Sequence, residues 1–286
     1  MLHLALGLWI WAGAVSQTHE QGVSLYKQHK YLEAITVLEE ASKSEAPGTA
    51  QYQESALLIG QSYFMLSRAP QAIPWLEKVS DVNEANYMLG YAYLQNGQQE
   101  RSVAAFSRLF SVNANSAAGH LIAGQMMLKK EYEPQAVVEI NKALTLDPKL
   151  PQAHFLLGEV AIFRGRLDEA VDHLQRELAI NPNFAMAWYR LGDAYTRQEN
   201  YDRAIPNLQR AVWLNPDYSG PYILLGRCYF KQKNLDNAEG ILRRALTLDP
   251  NNYSANYLLG QTLIAQGKSD EGRAVLEKLK SMRSNP

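Results

Sequence analysis

His120 and His154 stand 34 residues apart, and the next two steps of 34 reach Trp188 and Tyr222. Two imidazoles at equivalent places could give a zinc ion two ligands, but zinc takes four, and no further ligand keeps the spacing. Trp and Tyr at the same register make packing the expected role of both histidines. Cys228 is the only cysteine, which excludes a disulfide framework. Arg227 beside it would favour a thiolate, but the helical register turns Cys228 to the apolar side, where a small hydrophobe is expected. The chain has no Gly-Lys-Ser/Thr phosphate loop, no His-Glu-x-x-His and no Gly-x-Ser-x-Gly turn. No catalytic residue, metal or cofactor is therefore expected.

A second set of side chains suits binding rather than bond making. Four ladders run through the sequence, each read once per repeat. The first is Leu57, Tyr87, Leu121, Phe155, Tyr189, Ile223, Tyr257, and the second Gln61, Tyr91, Gln125, Glu159, Asp193, Arg227, Gln261. The third is Phe64, Leu94, Leu128, Ile162, Thr196, Phe230, Ile264, and the fourth Met65, Gln95, Lys129, Phe163, Arg197, Lys231. The first and third are too apolar and aromatic for a surface that meets only water. Packing between neighbouring helices accounts for about half of that area; the remainder suits a peptide, with aromatic anchors and amides for its backbone. Glu159, Arg190, Asp193, Arg197, Arg227 and Lys231 form one charged zone. They either pair across the rungs, for about 0–1 kcal/mol a pair, or attract an acidic segment, because the cations outnumber the acids.

The elements that must position these ladders are legible. Gly90, Gly124, Gly158, Gly192, Gly226 and Gly260 keep a step of 34, as do Pro148, Pro182, Pro216 and Pro250. Ala136, Ala170, Ala204 and Ala238 follow their glycines by twelve residues. Gly22 with Ala34, and Gly60 with Ala72, add two upstream units. A fixed period of this size marks a solenoid. Eight units result: 15–48, 53–82, 83–116, 117–150, 151–184, 185–218, 219–252 and 253–286. In each, apolar residues at three- and four-residue spacing (Trp188, Leu191, Tyr195) predict a first helix, and Ala204, Leu208 and Ala211 a second. Asn200, Gly165, Asn234 and Gly267 mark the left-handed turn between them. Asp168, Asp202, Asp236 and Asp270 are expected to cap the second helix, which Asp-Pro or Asn-Pro ends. Pro74 and Pro206 are placed in the first turns of their helices, where the missing N–H costs little.

This pattern resembles the tetratricopeptide repeat over about 270 residues, most closely in units five to seven. Unit two lacks the closing proline, and Ser102 and Gly272 replace the alanine in units three and eight. The resemblance implies an all-α, right-handed superhelical solenoid, with first helices lining a concave groove and a role in binding other proteins. The family's carboxylate-clamp subgroup needs Lys and Asn on successive rungs. Phe155, Tyr189 and Ile223 stand in the lysine ladder and Glu159 and Asp193 in the asparagine one, so that clamp is absent.

Composition agrees with this reading. Of 286 residues 47% are hydrophobic, enough for a large core, and a net charge of −1 argues against a nucleic-acid partner. "MLHLALGLWIWAGAVS" carries no acid, Lys or Arg and ends in small-x-small cleavage patterns, so residues 1–16 read as a signal peptide and 17–286 as a single solenoid. The expected protein is a non-enzymatic interaction scaffold with a protein or peptide partner, exported to a periplasmic or extracellular space. The alternative is an envelope component anchored in a membrane through residues 2–15 that uses its outer face.

Overall fold

The computed structural model describes residues 17–284; the segment read as a signal peptide or anchor lies outside them. The described residues form sixteen helices and no strand. Their contacts group into two compact units, one ending at Pro148 and one starting at Lys149. The first holds α1 (17–27), α2 (Tyr31–Ser42), α3 (Ala50–Met65), α4 (Ala69–Glu77), α5 (Asn83–Gln95), α6 (Gln99–Leu109), α7 (Ala117–Leu128) and α8 (Glu133–Leu146). The second holds α9 (Ala153–Phe163), α10 (Leu167–Ile180), α11 (Ala185–Arg197), α12 (Tyr201–Leu214), α13 (Ser219–Lys231), α14 (Leu235–Leu248), α15 (Tyr253–Ala265) and α16 (Ser269–Ser284). Within each unit the helices pack as consecutive pairs, and each pair packs on the next. No helix of the described residues is long and apolar enough to cross a membrane.

Close approach within a pair explains the glycine step. A Cβ on Gly192 would lie 2.5 Å from the Leu208 side chain, and one on Gly90 would lie 2.1 Å from the Phe106 ring. Leu208 and Phe106 are both fully buried, so the missing methyl is the space that the facing side chain fills. The alanine step has the same origin: Ala136, Ala170, Ala204 and Ala238 are all buried.

Three local expectations need correction. Gly165 (φ 70°) and Gly267 (φ 86°) take the left-handed turn as expected, but in the two units between them it falls on Glu199 (φ 58°) and Lys233 (φ 60°), one place before the asparagines. Asn200 is free to cap α12 instead, its Oδ1 accepting from the Arg203 N–H at 3.3 Å. The aspartates are not caps. Asp168, Asp202 and Asp236 lie one residue inside their helices and accept from the side-chain amides of Gln198, Gln232 and Gln266 of the following pair, at 2.8, 2.8 and 2.9 Å. Pro74 and Pro206 stand inside α4 and α12, past the first turn, where each leaves the carbonyl four residues earlier without its helical donor.

The Asp/Asn-Pro stop behaves as its chemistry dictates. Asp147, Asn181, Asn215 and Asp249 leave the helical region, with φ from −129° to −141° and ψ from 82° to 97°, because proline crowds a helical residue before it. The proline carbonyl then becomes an anchor: Trp188 Nε1 donates to Pro182 O at 2.8 Å, Tyr222 Oη to Pro216 O at 3.0 Å and Asn256 Nδ2 to Pro250 O at 3.0 Å.

Candidate partner-binding face

First helices touch one another inside each unit, α3 with α5 in one, and α9 with α11, α11 with α13 and α13 with α15 in the other. The ladders therefore form surfaces, whose members divide between packing and exposure. In the first unit Tyr91 is 2% exposed. Its hydroxyl donates to Met126 O at 2.8 Å, and its ring meets Phe106 and Tyr87 edge-on at 4.9 and 5.0 Å. Burial, with Tyr87 beside it, pushes that phenol above its ordinary pKa. Gln61 is buried, and Leu57 and Phe64 pack against the α3–α5 core. Tyr87 and Met65 are exposed, and Gln125 is half-buried. Lys129 is the only charge on the first unit's ladders.

The second unit is different in kind. Phe155 is buried against Phe184, with ring centroids 4.8 Å apart. Half-buried Tyr189 meets Tyr218 edge-on at 5.3 Å, and burial, then the neighbouring Tyr218, raises its pKa to about 12. Exposed Tyr257 stacks on Tyr253 at 6.3 Å and accepts from Gln261 Nε2 at 2.7 Å. Phe230 is half-buried, while Phe163, the last residue of α9, is 85% exposed. Arg190 bridges to Glu159 of the preceding pair at 2.9 Å, and Arg197 holds Asp193 at 3.1 Å. Both acids of the charged zone are thus engaged. Arg227 and Lys231 are exposed and form no ion pair among the described residues.

The aromatic neighbours Phe184 and Tyr218 escaped the ladder reading because they lie in the connections between pairs. Their signal was present, since each stands 29 residues after its ring partner. The chemistry-bearing residues read from sequence have structural partners. Cys228 is fully buried, with Sγ 3.3 Å from Thr196 Oγ1, and burial pushes its thiol up, away from the reactive thiolate. His120 Nδ1 meets Glu139 at 2.6 Å. His154 Nδ1 meets His173 Nδ1 at 3.0 Å, so one ring donates and the other accepts. Among the described residues no three His, Cys, Asp or Glu side chains are arranged to hold a metal ion.

Sequence models of the tetratricopeptide repeat match residues 19–81, 83–116, 134–185, 155–219, 189–253 and 234–285. The chain belongs to the tetratricopeptide-repeat family. No curated protein matches it in sequence. Among solved structures it is similar in fold to YrrB, described as a TPR protein with an unusual peptide-binding site (TM-score 0.56, 23% identity, 64% of this chain and 94% of that one). It is also similar to MamA of Desulfovibrio magneticus RS-1 (TM-score 0.56, 22% identity, 59% and 96%) and to Pseudomonas aeruginosa pilF (0.57, 18%, 71% and 93%). These identities speak for the all-α repeat fold, and a protein-interaction scaffold is what the family provides.

Proposed function

We propose that the chain is a non-enzymatic scaffold that holds a peptide segment of a protein partner on its first-helix faces. The carrying observation is Phe163. A phenyl ring 85% exposed at the end of a first helix, at the place that the exposed Arg197 takes in the next pair, is the kind of anchor that peptide recognition uses. Affinity is expected near micromolar, about −8 kcal/mol. In this reading residues 1–16 direct export to a periplasmic or extracellular space.

A cross-linked capture from native extract tests this, with the full chain beside Phe163→Ser. That position is chosen over Phe155 and Tyr189, whose packing would confound loss of binding with loss of fold. A partner held by the parent and lost by the variant, at equal helicity by circular dichroism, supports the face. Equal capture by both removes it.

One observation favours the second reading, an envelope component that uses its other surface. Trp213, on the second helix α12, is 69% exposed with the Arg210 guanidinium 4.2 Å from its ring. Capture lost with Trp213→Ser and kept with Phe163→Ser would select that surface, and intact mass would show whether residues 1–16 are retained as an anchor.

A further inference from the structure

We infer that the first-helix face of the second unit selects an extended, acidic peptide, and that Arg227 and Lys231 are its carboxylate-recognising pair. This rests on the peptide-holding reading above and adds the chemistry of the segment. The charged zone there carries four cations, Arg190, Arg197, Arg227 and Lys231, against two acids, Glu159 and Asp193. The acids are consumed on one side only, by Arg190 at 2.9 Å and Arg197 at 3.1 Å. Among the described residues two positive charges form no ion pair, both on α13, four residues apart and so on one helix face. Their neighbours sharpen the specificity. Phe163, Arg197 and Lys231 hold the same place on α9, α11 and α13, at the C-terminal end of each helix. The aromatic pairs Phe155–Phe184 and Tyr189–Tyr218 lie toward the N-terminal ends.

A strand-like peptide crossing these helices meets Tyr189 and Tyr218 along one edge and, along the other, Phe163, Arg197 and Lys231 with Arg227 one turn further in. Its side chains alternate between edges with a period of two. The occupant defined by this charge pattern alternates Asp or Glu with apolar residues. A basic segment would meet like charge at Arg227 and Lys231 and be disfavoured, while an amide-bearing one would forgo the charge pairing that an acidic one gains. Because both cations are exposed, their contribution is salt-screened and acts on selectivity more than on gross affinity.

The test uses the full chain and two fluorescent degenerate peptide pools of about twelve residues, an order of magnitude set by what an extended segment needs to cross several helices. One pool alternates Asp/Glu with Ile/Phe; the other replaces Asp/Glu with Asn/Gln. Anisotropy is read at low and physiological salt for the parent, Arg227→Ala with Lys231→Ala, Lys129→Ala as the first-unit control, and Phe163→Ser. The acidic pool should bind the parent about tenfold more tightly than the amide pool, and the paired substitution should remove that preference. Lys129→Ala should leave it intact. Equal binding of the two pools, or a preference that survives the paired substitution, overturns the inference. Binding of both pools that Phe163→Ser abolishes would retain the peptide face without acid selection. Binding of neither pool, or binding indifferent to Phe163, would remove the peptide face and this inference with it.

Discussion

In the stack that ends at Pro148, tyrosines donate to carboxylates on the preceding pair: Tyr63 Oη to Glu39 at 2.9 Å, and Tyr93 Oη to Glu77 at 2.6 Å. In the stack that begins at Lys149 the same two places are Gln175 donating to Tyr195 Oη at 3.1 Å and Gln209 to Tyr229 Oη at 3.2 Å. Burial, then the bond to Glu77, lifts Tyr93 to about 12, so its proton stays in place and the rung persists at all ordinary pH. A second equivalent place differs more. His120 faces Glu139, whereas 34 residues on His154 faces His173. The lesson is that a fixed backbone step constrains where a rung forms but leaves open whether it is charged, amide or neutral imidazole. Each choice gives its stack a different response to pH and to ligand charge.

The sharpest way to probe this difference is at the knobs behind the glycines. Phe106→Ala should destabilise the first stack by about 3–5 kcal/mol, and Leu208→Ala the second by about 2–5 kcal/mol, since both side chains are fully buried. Urea denaturation with hydrogen exchange should show the loss centred in the stack that carries the change. Protection lost evenly along the chain would mean that the two stacks do not differ in the way their contacts imply.

A smaller effect follows from the histidine rungs. Burial holds both His154 and His173 below the usual histidine value of about 6.5. The unfolded chain therefore takes up protons first as pH falls, so stability is full above about 6.5 and is lost below it. Glu139 acts in the same direction, in a lower window. Burial alone would raise its pKa, but bonds from His120, Lys142 and Gln99 outweigh that and bring it below the usual carboxylate range. Its contribution is present above about 4.3 and lost as pH falls through its lower folded value. Between pH 7.5 and 5.5, melting should fall by a few degrees, and His154→Gln with His173→Gln should flatten that slope. A slope unchanged in the double variant would place its origin elsewhere.

The least effect is expected at the exposed rungs. Asp202→Ala removes the acceptor for Gln232 and should cost no more than about 1 kcal/mol, because the exposed Gln232 amide bonds to water instead. A larger loss in thermal melting would show that the amide–aspartate ladder contributes cooperatively to the second stack.

Much of this was readable beforehand, and the exceptions share a cause. The 34-residue step of Gly192, Ala204 and Pro216 set helix, close approach and stop, because each is a constraint on backbone geometry that only a few residue types satisfy. The same step made the ladders. What the step could not assign was the partner of a polar side chain. Asp202 reads as a cap because caps are local, yet its partner Gln232 lies 30 residues on. His154 reads like Trp188, yet it turns to His173, on the second helix of its own pair, instead of a proline carbonyl. Tyr91 sits on the second ladder and Phe163 on the fourth; packing buries one and leaves the other in solvent. The sequence alone thus determined the repeat, the helix pairing and the helix faces that the ladders share, since these follow from local sterics and periodicity. Only the tertiary structure decided that Arg190 is taken up by Glu159, 31 residues earlier, and that Arg227 and Lys231 remain open, because such pairing across repeats depends on distances that no local rule fixes.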